Sequence, residues 1–133
     1  MRLTSFTDFG LRTLMRLAAE PGRVFTTEEI AGELKISRNH LTKVIQALAG
    51  ARILSTQRGA GGGFRLALPP ESVKLGEVVR LLESRQALVE CFRGDGGACV
   101  MTSGCRLKGR LAAAREAFLT ELDRTTLAEC AWG

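Results

Sequence analysis

Apolar positions recur every three or four residues in five separate stretches, and each stretch predicts a helix. The first runs from Thr4 or Ser5, either of which can cap it, to about Ala19, with Leu11, Leu14, Met15 and Leu17 or Ala18 on one face. Pro21-Gly22 ends it, and Val24-Phe25 reads as a short strand. Thr26 and Glu29 stand three apart as a capping box and open a short second helix through Ile30, Ala31 and Leu34. A tight turn follows. Ser37 then caps a third helix to about Gly50, where Leu41, Val44, Ile45 and Leu48 form a continuous stripe. Its opposite face carries Arg38, Asn39, His40, Thr42, Lys43 and Gln46, all able to bond to base edges or phosphates. A short helix, a turn and a donor-rich helix are the pattern of a helix-turn-helix.

Two strand-like runs come next, Ile53–Arg58 and Phe64–Leu68, joined by Gly59-Ala60-Gly61-Gly62-Gly63. A glycine-tipped hairpin flanked by Arg58 and Arg65 predicts a wing, whose bare backbone approaches phosphates while an arginine enters the minor groove. The competing reading, a nucleotide phosphate loop, needs glycines that open a helix; here they lead into a strand ending at Pro69-Pro70. A fourth helix is expected near Gly76–Ser84, with Val78, Val79, Leu81 and Leu82 apolar. The last runs from Arg106 to Arg124, with Leu107, Leu111, Ala114, Phe118 and Leu122 at alternating steps of four and three. That seam packs on its own core or on a twin helix, and the near-heptad spacing favours the twin.

Composition narrows the class. The chain has 133 residues, 45% apolar and 25% charged, which fits a single soluble domain with room for an appended element. Tyrosine is absent, no apolar run spans a membrane and no signal peptide is visible, so a cytoplasmic protein is expected. The net charge of +5 is uneven: residues 1–70 hold ten basic and five acidic side chains, residues 71–133 nine of each. No acid occurs from Leu34 to Pro70, while Lys35, Arg38, Lys43, Arg52, Arg58 and Arg65 are basic. A polyanion, double-stranded DNA first of all, explains that better than a merely solvated face. One histidine, no nucleophile motif and no paired acids argue against an enzyme.

Three of four cysteines fall in the run CFRGDGGACVMTSGC, as Cys91, Cys99 and Cys105, spaced C-x7-C-x5-C among small residues. Thiols at short range on flexible backbone suit a soft metal centre. Zinc prefers four ligands in close pairs and fits poorly, an iron–sulfur cluster fits better, and a disulfide remains open. Cys130 stands apart and reads as a small apolar residue or a free thiol. Asp8 has its own alternatives: with Ser5 it forms an S-x-x-D cap, and Arg12 lies four residues on for an ion pair.

The blocks MRLTSFTDFGLRTLMRLA, SRNHLTKVI, RGAGGGFRLA, the three-cysteine loop and FLTELDRTTLAE together resemble the bacterial winged-helix iron–sulfur transcriptional regulators, over nearly the whole chain. The likeness is nearest to the nitric-oxide-sensing branch. It implies a mainly α fold: a winged helix-turn-helix DNA-binding domain (1–84), a cluster-binding loop (85–105) and a C-terminal dimerisation helix and tail (106–133). It further implies a homodimeric repressor on a palindromic, AT-rich operator, with nitric oxide as signal. Cys91, Cys99 and Cys105 would ligate a four-iron four-sulfur cluster, with Asp8 of the partner subunit as fourth ligand. In the IscR-like branch, a two-iron sensor of cluster or redox status, the fourth ligand is a histidine three residues after the last cysteine. That position here is Lys108, and the one histidine is His40. The seven-residue gap between Cys91 and Cys99 is longer than in many relatives. Expected DNA contacts are Ser37, Arg38, Asn39, His40 and Lys43 on the recognition helix, with Arg58, Gly61, Gly62 and Arg65 on the wing. With about six to ten phosphate contacts per dimer, affinity for a duplex should fall about a thousandfold or more between about 50 and 200 mM salt, which a titration across that range measures.

Overall fold

In a computed structural model that describes residues 1–133, the five expected helices and the hairpin all form. They are α1 (Ser5–Ala18), α2 (Thr27–Leu34), α3 (Arg38–Gly50), β1 (Leu54–Gln57), β2 (Gly63–Leu66), α4 (Leu75–Leu82) and α5 (Arg106–Leu122). Short 3₁₀ turns lie at Pro70–Ser72, Glu90–Phe92, Thr102–Gly104 and Leu127–Cys130. No helix is long and apolar enough to cross a membrane.

Local signals account for the boundaries. Thr4, in extended conformation, caps α1 by accepting from the Thr7 amide at 3.2 Å. Ser5 already belongs to the helix, so the Ser5–Asp8 cap does not form. The Thr26–Glu29 box closes reciprocally, at 3.1 and 2.8 Å. Lys35 ends α2 in the left-handed region (φ 54°), and the Ile36 amide returns to Ala31 O, which makes the tight turn before α3. α4 spans Leu75–Leu82, one residue earlier at its start and two at its end than its apolar run suggested. α5 stops at Leu122 because the next residues turn back: Thr125 O accepts from Leu75 N, and Leu127 N donates to Val73 O.

The hairpin pairs antiparallel from Leu54–Leu66 to Gln57–Gly63, shorter than its apolar runs. Val24-Phe25 contributes one bridge, Phe25 to Phe64, rather than a strand. A Cβ on Gly63 would collide with the Phe25 carbonyl, so this third segment can seat against the wing only because position 63 lacks one.

One core joins these pieces. Leu14 and Leu17 of α1, Ile30 of α2, Leu41, Val44 and Leu48 of α3, Phe25, Phe64 and Val78 are buried together, with Leu127 of the returning tail. Each large apolar side chain contributes roughly 1.5–3 kcal/mol relative to exposure. The α3 stripe expected from sequence is buried at all four positions; on α1, Leu14, Leu17 and Ala18 are buried, while Leu11 and Met15 are half-buried.

Charge secures the outer side of α1. Arg16 is buried over the Phe25 ring, bonds Glu33 at 2.7 Å, and has Glu20 within 2.9 Å as an ion pair. Arg16 and then Arg23 hold the Glu20 carboxyl below its ordinary 4.5, and the Thr26 amide does the same for Glu29. Carboxyls depressed in the fold stabilise it above their unfolded values and lose that contribution as pH falls through the folded ones. The melting temperature should therefore hold from neutral pH to about pH 5 and decline below about 4.5, and Arg16→Met should flatten that decline; thermal melts across pH 3–7 measure both.

Candidate functional site

The reader is built on α3. The Ser37 Oγ accepts from the His40 amide at 3.2 Å, so the helix begins capped, with its first turn outward. Arg38, Asn39, Thr42, Lys43 and Gln46 are exposed. Two of the expected contacts have partners that the pattern did not disclose. Arg38 lies 3.0 Å from Glu28 of α2, with both side chains largely exposed, so the pair is weak and a phosphate could displace the carboxylate. His40 is half-buried: its ring meets Phe9 edge-on at 4.7 Å and stacks on Phe6 at 6.3 Å, both on α1. Thr42 Oγ1 is turned back onto Arg38 O at 2.9 Å.

On the wing, Arg58 and Arg65 are exposed beside an exposed Gly61 and a half-buried Gly62. Gly62 N donates to Gly59 O at 2.9 Å, and a Cβ at 62 would press on Gln57 O and Gly59 O. The tip is thus a tight backbone turn that offers an anion only main-chain N–H groups and the flanking arginines.

The cysteine loop is folded by its own carboxylates. Glu90 accepts from the Ala98 amide at 3.0 Å, and Asp95 accepts from Gly97 N at 2.9 Å and from Arg93 at 2.8 Å. Gly97 sits at φ 64° with its α-carbon against the Glu90 carbonyl, where any side chain would clash. The residues beside Cys91 and Cys99 therefore touch. Cys91 lies in the 3₁₀ turn, Cys99 is exposed, and Cys105 immediately precedes α5; all four cysteines are free thiols. Within one chain, no group of three or more His, Cys, Asp or Glu side chains converges to hold a metal ion. As a donor set, three free thiols on one short loop suit a soft iron–sulfur group that draws a further ligand from elsewhere.

Asp8 is in the first turn of α1, paired with Arg12 at 2.6 Å, both about half exposed (47% and 51%). This is the ion pair expected from the four-residue spacing, and at that exposure it contributes only a few tenths of a kcal/mol.

Sequence reasoning missed Glu83. At the end of α4, its carboxylate accepts from Thr4 N at 3.2 Å, from Thr4 Oγ1 at 2.5 Å and from Thr7 Oγ1. It ties the start of α1 to the root of the cysteine loop. No local signal could show this, because the partners are 76 and 79 residues apart. The α5 seam is partly covered: Leu111, Phe118 and Leu122 are half-buried, while Leu107 and Ala114 are exposed. The helix meets its own chain through buried Leu119 and through Arg80, which bonds Asp123 at 3.0 Å and reaches Glu116 at 3.4 Å.

A capped helix-turn-helix with a glycine-tipped arginine wing defines a winged-helix DNA-binding regulator. The chain belongs to the Rrf2 family, described as iron-dependent transcriptional regulators, whose profile matches residues 3–131. It is similar to the HTH-type transcriptional regulator NsrR of Bacillus subtilis, 45% identical over 128 residues that cover 96% of this chain and 88% of that protein. NsrR of Shouchella clausii is 41% identical over 96% of this chain and 86% of its own. Among solved structures, oxidized Staphylococcus aureus CymR superposes with a TM-score of 0.75 at 27% identity, covering 100% of this chain and 98% of that one. T. potens IscR shares the fold, with a TM-score of 0.74 at 23% identity over 96% of this chain and 84% of its own. Family membership makes the protein a transcriptional regulator and not an enzyme.

Glu83→Ala would leave three donors of Thr4 and Thr7, at the start of α1, without their acceptor. The expected loss is about 1–3 kcal/mol, read as a lowered midpoint of urea unfolding with an unchanged slope.

Proposed function

We propose that the protein is a cytoplasmic, homodimeric repressor of a palindromic, AT-rich operator, holding a four-iron four-sulfur cluster and released from DNA by nitric oxide. Cys91, Cys99 and Cys105 would hold the cluster, and Asp8 of the partner subunit would complete the ligand set. The observation that carries this reading is the state of Asp8: a half-exposed carboxylate held only by a surface ion pair, in a chain whose sole histidine is packed against Phe6 and Phe9. It is a donor that can leave its place at small cost. The partly covered seam of α5 supports the dimer, since Leu107 and Ala114 have no cover within the chain.

When bound, such a cluster supplies iron atoms to which a small diatomic such as nitric oxide attaches. The protein's own residues do the rest. Asp8 in the partner's site fixes the angle between subunits; Asp8 returned to Arg12 leaves that angle free. Two recognition helices must reach half-sites about 34 Å apart, so a small rotation removes one of them from its groove. In register, Arg38, Asn39 and Lys43 of α3 face the major groove, Ser37 sets its first turn, and Arg58, Gly61, Gly62 and Arg65 meet the backbone and minor groove beside it.

The test is anaerobic purification of the loaded protein, selection of a duplex from a random library, and titration of that duplex before and after stoichiometric nitric oxide. Wild type should lose affinity by roughly 5–150-fold on nitric oxide. Asp8→Ala should bind weakly at the outset and respond little. Equal affinity of cluster-loaded and cluster-free wild type for the selected duplex would overturn the reading.

A further inference from the structure

Five acids lie in the first seventy residues, and four of them pair with arginines of α1 or of the turn after it. Asp8 pairs with Arg12, Glu20 with Arg16 and Arg23, Glu29 with Arg23, and Glu33 with Arg16. Glu28 is the exception. Its carboxylate lies 3.0 Å from Nη1 of Arg38, the first residue of α3. No acid occurs from Leu34 to Pro70, so Glu28 of α2 is the one carboxylate that the fold pairs with the recognition helix.

A guanidinium presents five N–H groups in a rigid planar fork. With Glu28 beside Nη1, the edge formed by Nε and Nη2 remains open. The O6 and N7 acceptors of a guanine fit that edge while Nη1 stays beside its carboxylate. A phosphate is a second anion on the same head group, and it must compete with Glu28 for it.

We propose that Glu28 is a specificity-determining positioning residue: it holds Arg38 as the reader of one guanine in each half-site and disfavours the phosphate contacts open to the same arginine on unrelated DNA. This deepens the operator reading above and rests on α3 lying in the major groove.

The energetics favour a role in discrimination rather than in stability. In the free protein the Arg38 and Glu28 side chains are 66% and 71% exposed, so their attraction weighs little there. A bound duplex excludes water from the pair and strengthens it where it is needed. The backbone beneath Arg38 is fixed as well, since its carbonyl accepts from Thr42 Oγ1 at 2.9 Å and Ser37 caps the turn. Glu28 also repels the phosphates of any duplex, but that penalty falls on right and wrong sequences alike and leaves their ratio unchanged. The arginine's alternative is what alters the ratio. On guanine it keeps both partners; on a phosphate it gives up Glu28.

The experiment selects duplexes from a random library with anaerobically purified wild type, Glu28→Gln, Arg38→Ala and Arg38→Lys. Each protein is then titrated with the wild-type selected duplex and its single-base-pair variants. Wild type should require one G·C pair per half-site, preferred about tenfold or more over the other pairs. Arg38→Ala should lose that preference, and so should Arg38→Lys, because lysine keeps the charge without the fork. Glu28→Gln should lower it to about threefold or less, with the preferences at all other positions unchanged. Removing a negative charge without any positioning role would raise affinity for every duplex and leave the preference intact, and that outcome would overturn the inference. A selected sequence with no guanine that depends on Arg38 would also overturn it, while the operator reading stands. If cluster-loaded and cluster-free wild type bind the selected duplex equally, the cluster switch fails, and the preference at that base pair still decides the role of Glu28. If wild type selects no duplex, the operator reading fails and the inference with it.

Discussion

The seating of α1 in the core is the constraint on which the other features depend. Leu14 and Leu17 are buried against α3 and the rest of the core, Arg16 ties the helix to Glu33 of α2, and Trp132 N of the tail closes on Met15 O. Because one helix touches the reader, the wing and the tail, its position and theirs are a single packing solution. Interiors are close-packed and do not deform continuously, so a displacement at one end of α1 must be taken up by its neighbours.

Both ends of the proposed switch meet on that helix. Its first turn carries Asp8, its capping residue is tied to Glu83 at the end of α4, and its Phe6 and Phe9 pack on His40 of the recognition helix. α4 runs straight into the cysteine loop, so the loop has a mechanical route to α1 within its own chain through Glu83. Asp8 offers a second route, into the other subunit. Solvent-exposed ion pairs such as Asp8–Arg12 and Arg38–Glu28 suit such a device. They hold a side chain in readiness without stabilising it enough to oppose a better partner.

Much of the fold was legible in the residues because its signals are local. The Thr26–Glu29 box, the Ser37 cap, the α3 stripe and the glycine tip of the wing each act within about four residues, so reading them needs no knowledge of the tertiary structure. The cysteine spacing and the Asp8–Arg12 pair were legible for the same reason. Strand and helix ends were less so, because they are set where another segment arrives: Phe25 against Phe64, or Thr125 against Leu75. Asp8 reads as a cap from its distance to Ser5, yet the chain caps with Thr4, one residue earlier, where the backbone is still extended.

By itself, then, the sequence determined which segments are helical, which face of each is apolar, where the charge lies and which side chains are available for chemistry. Those properties follow from residue type and short-range spacing. Only the tertiary structure decided where those side chains go. It packed His40 on Phe6 and Phe9, set Glu28 beside Arg38, and brought Glu83 to Thr4 and Thr7 from the far end of the domain. Such pairings come from how helices cross, and no periodicity within one helix encodes which residue of another it will meet.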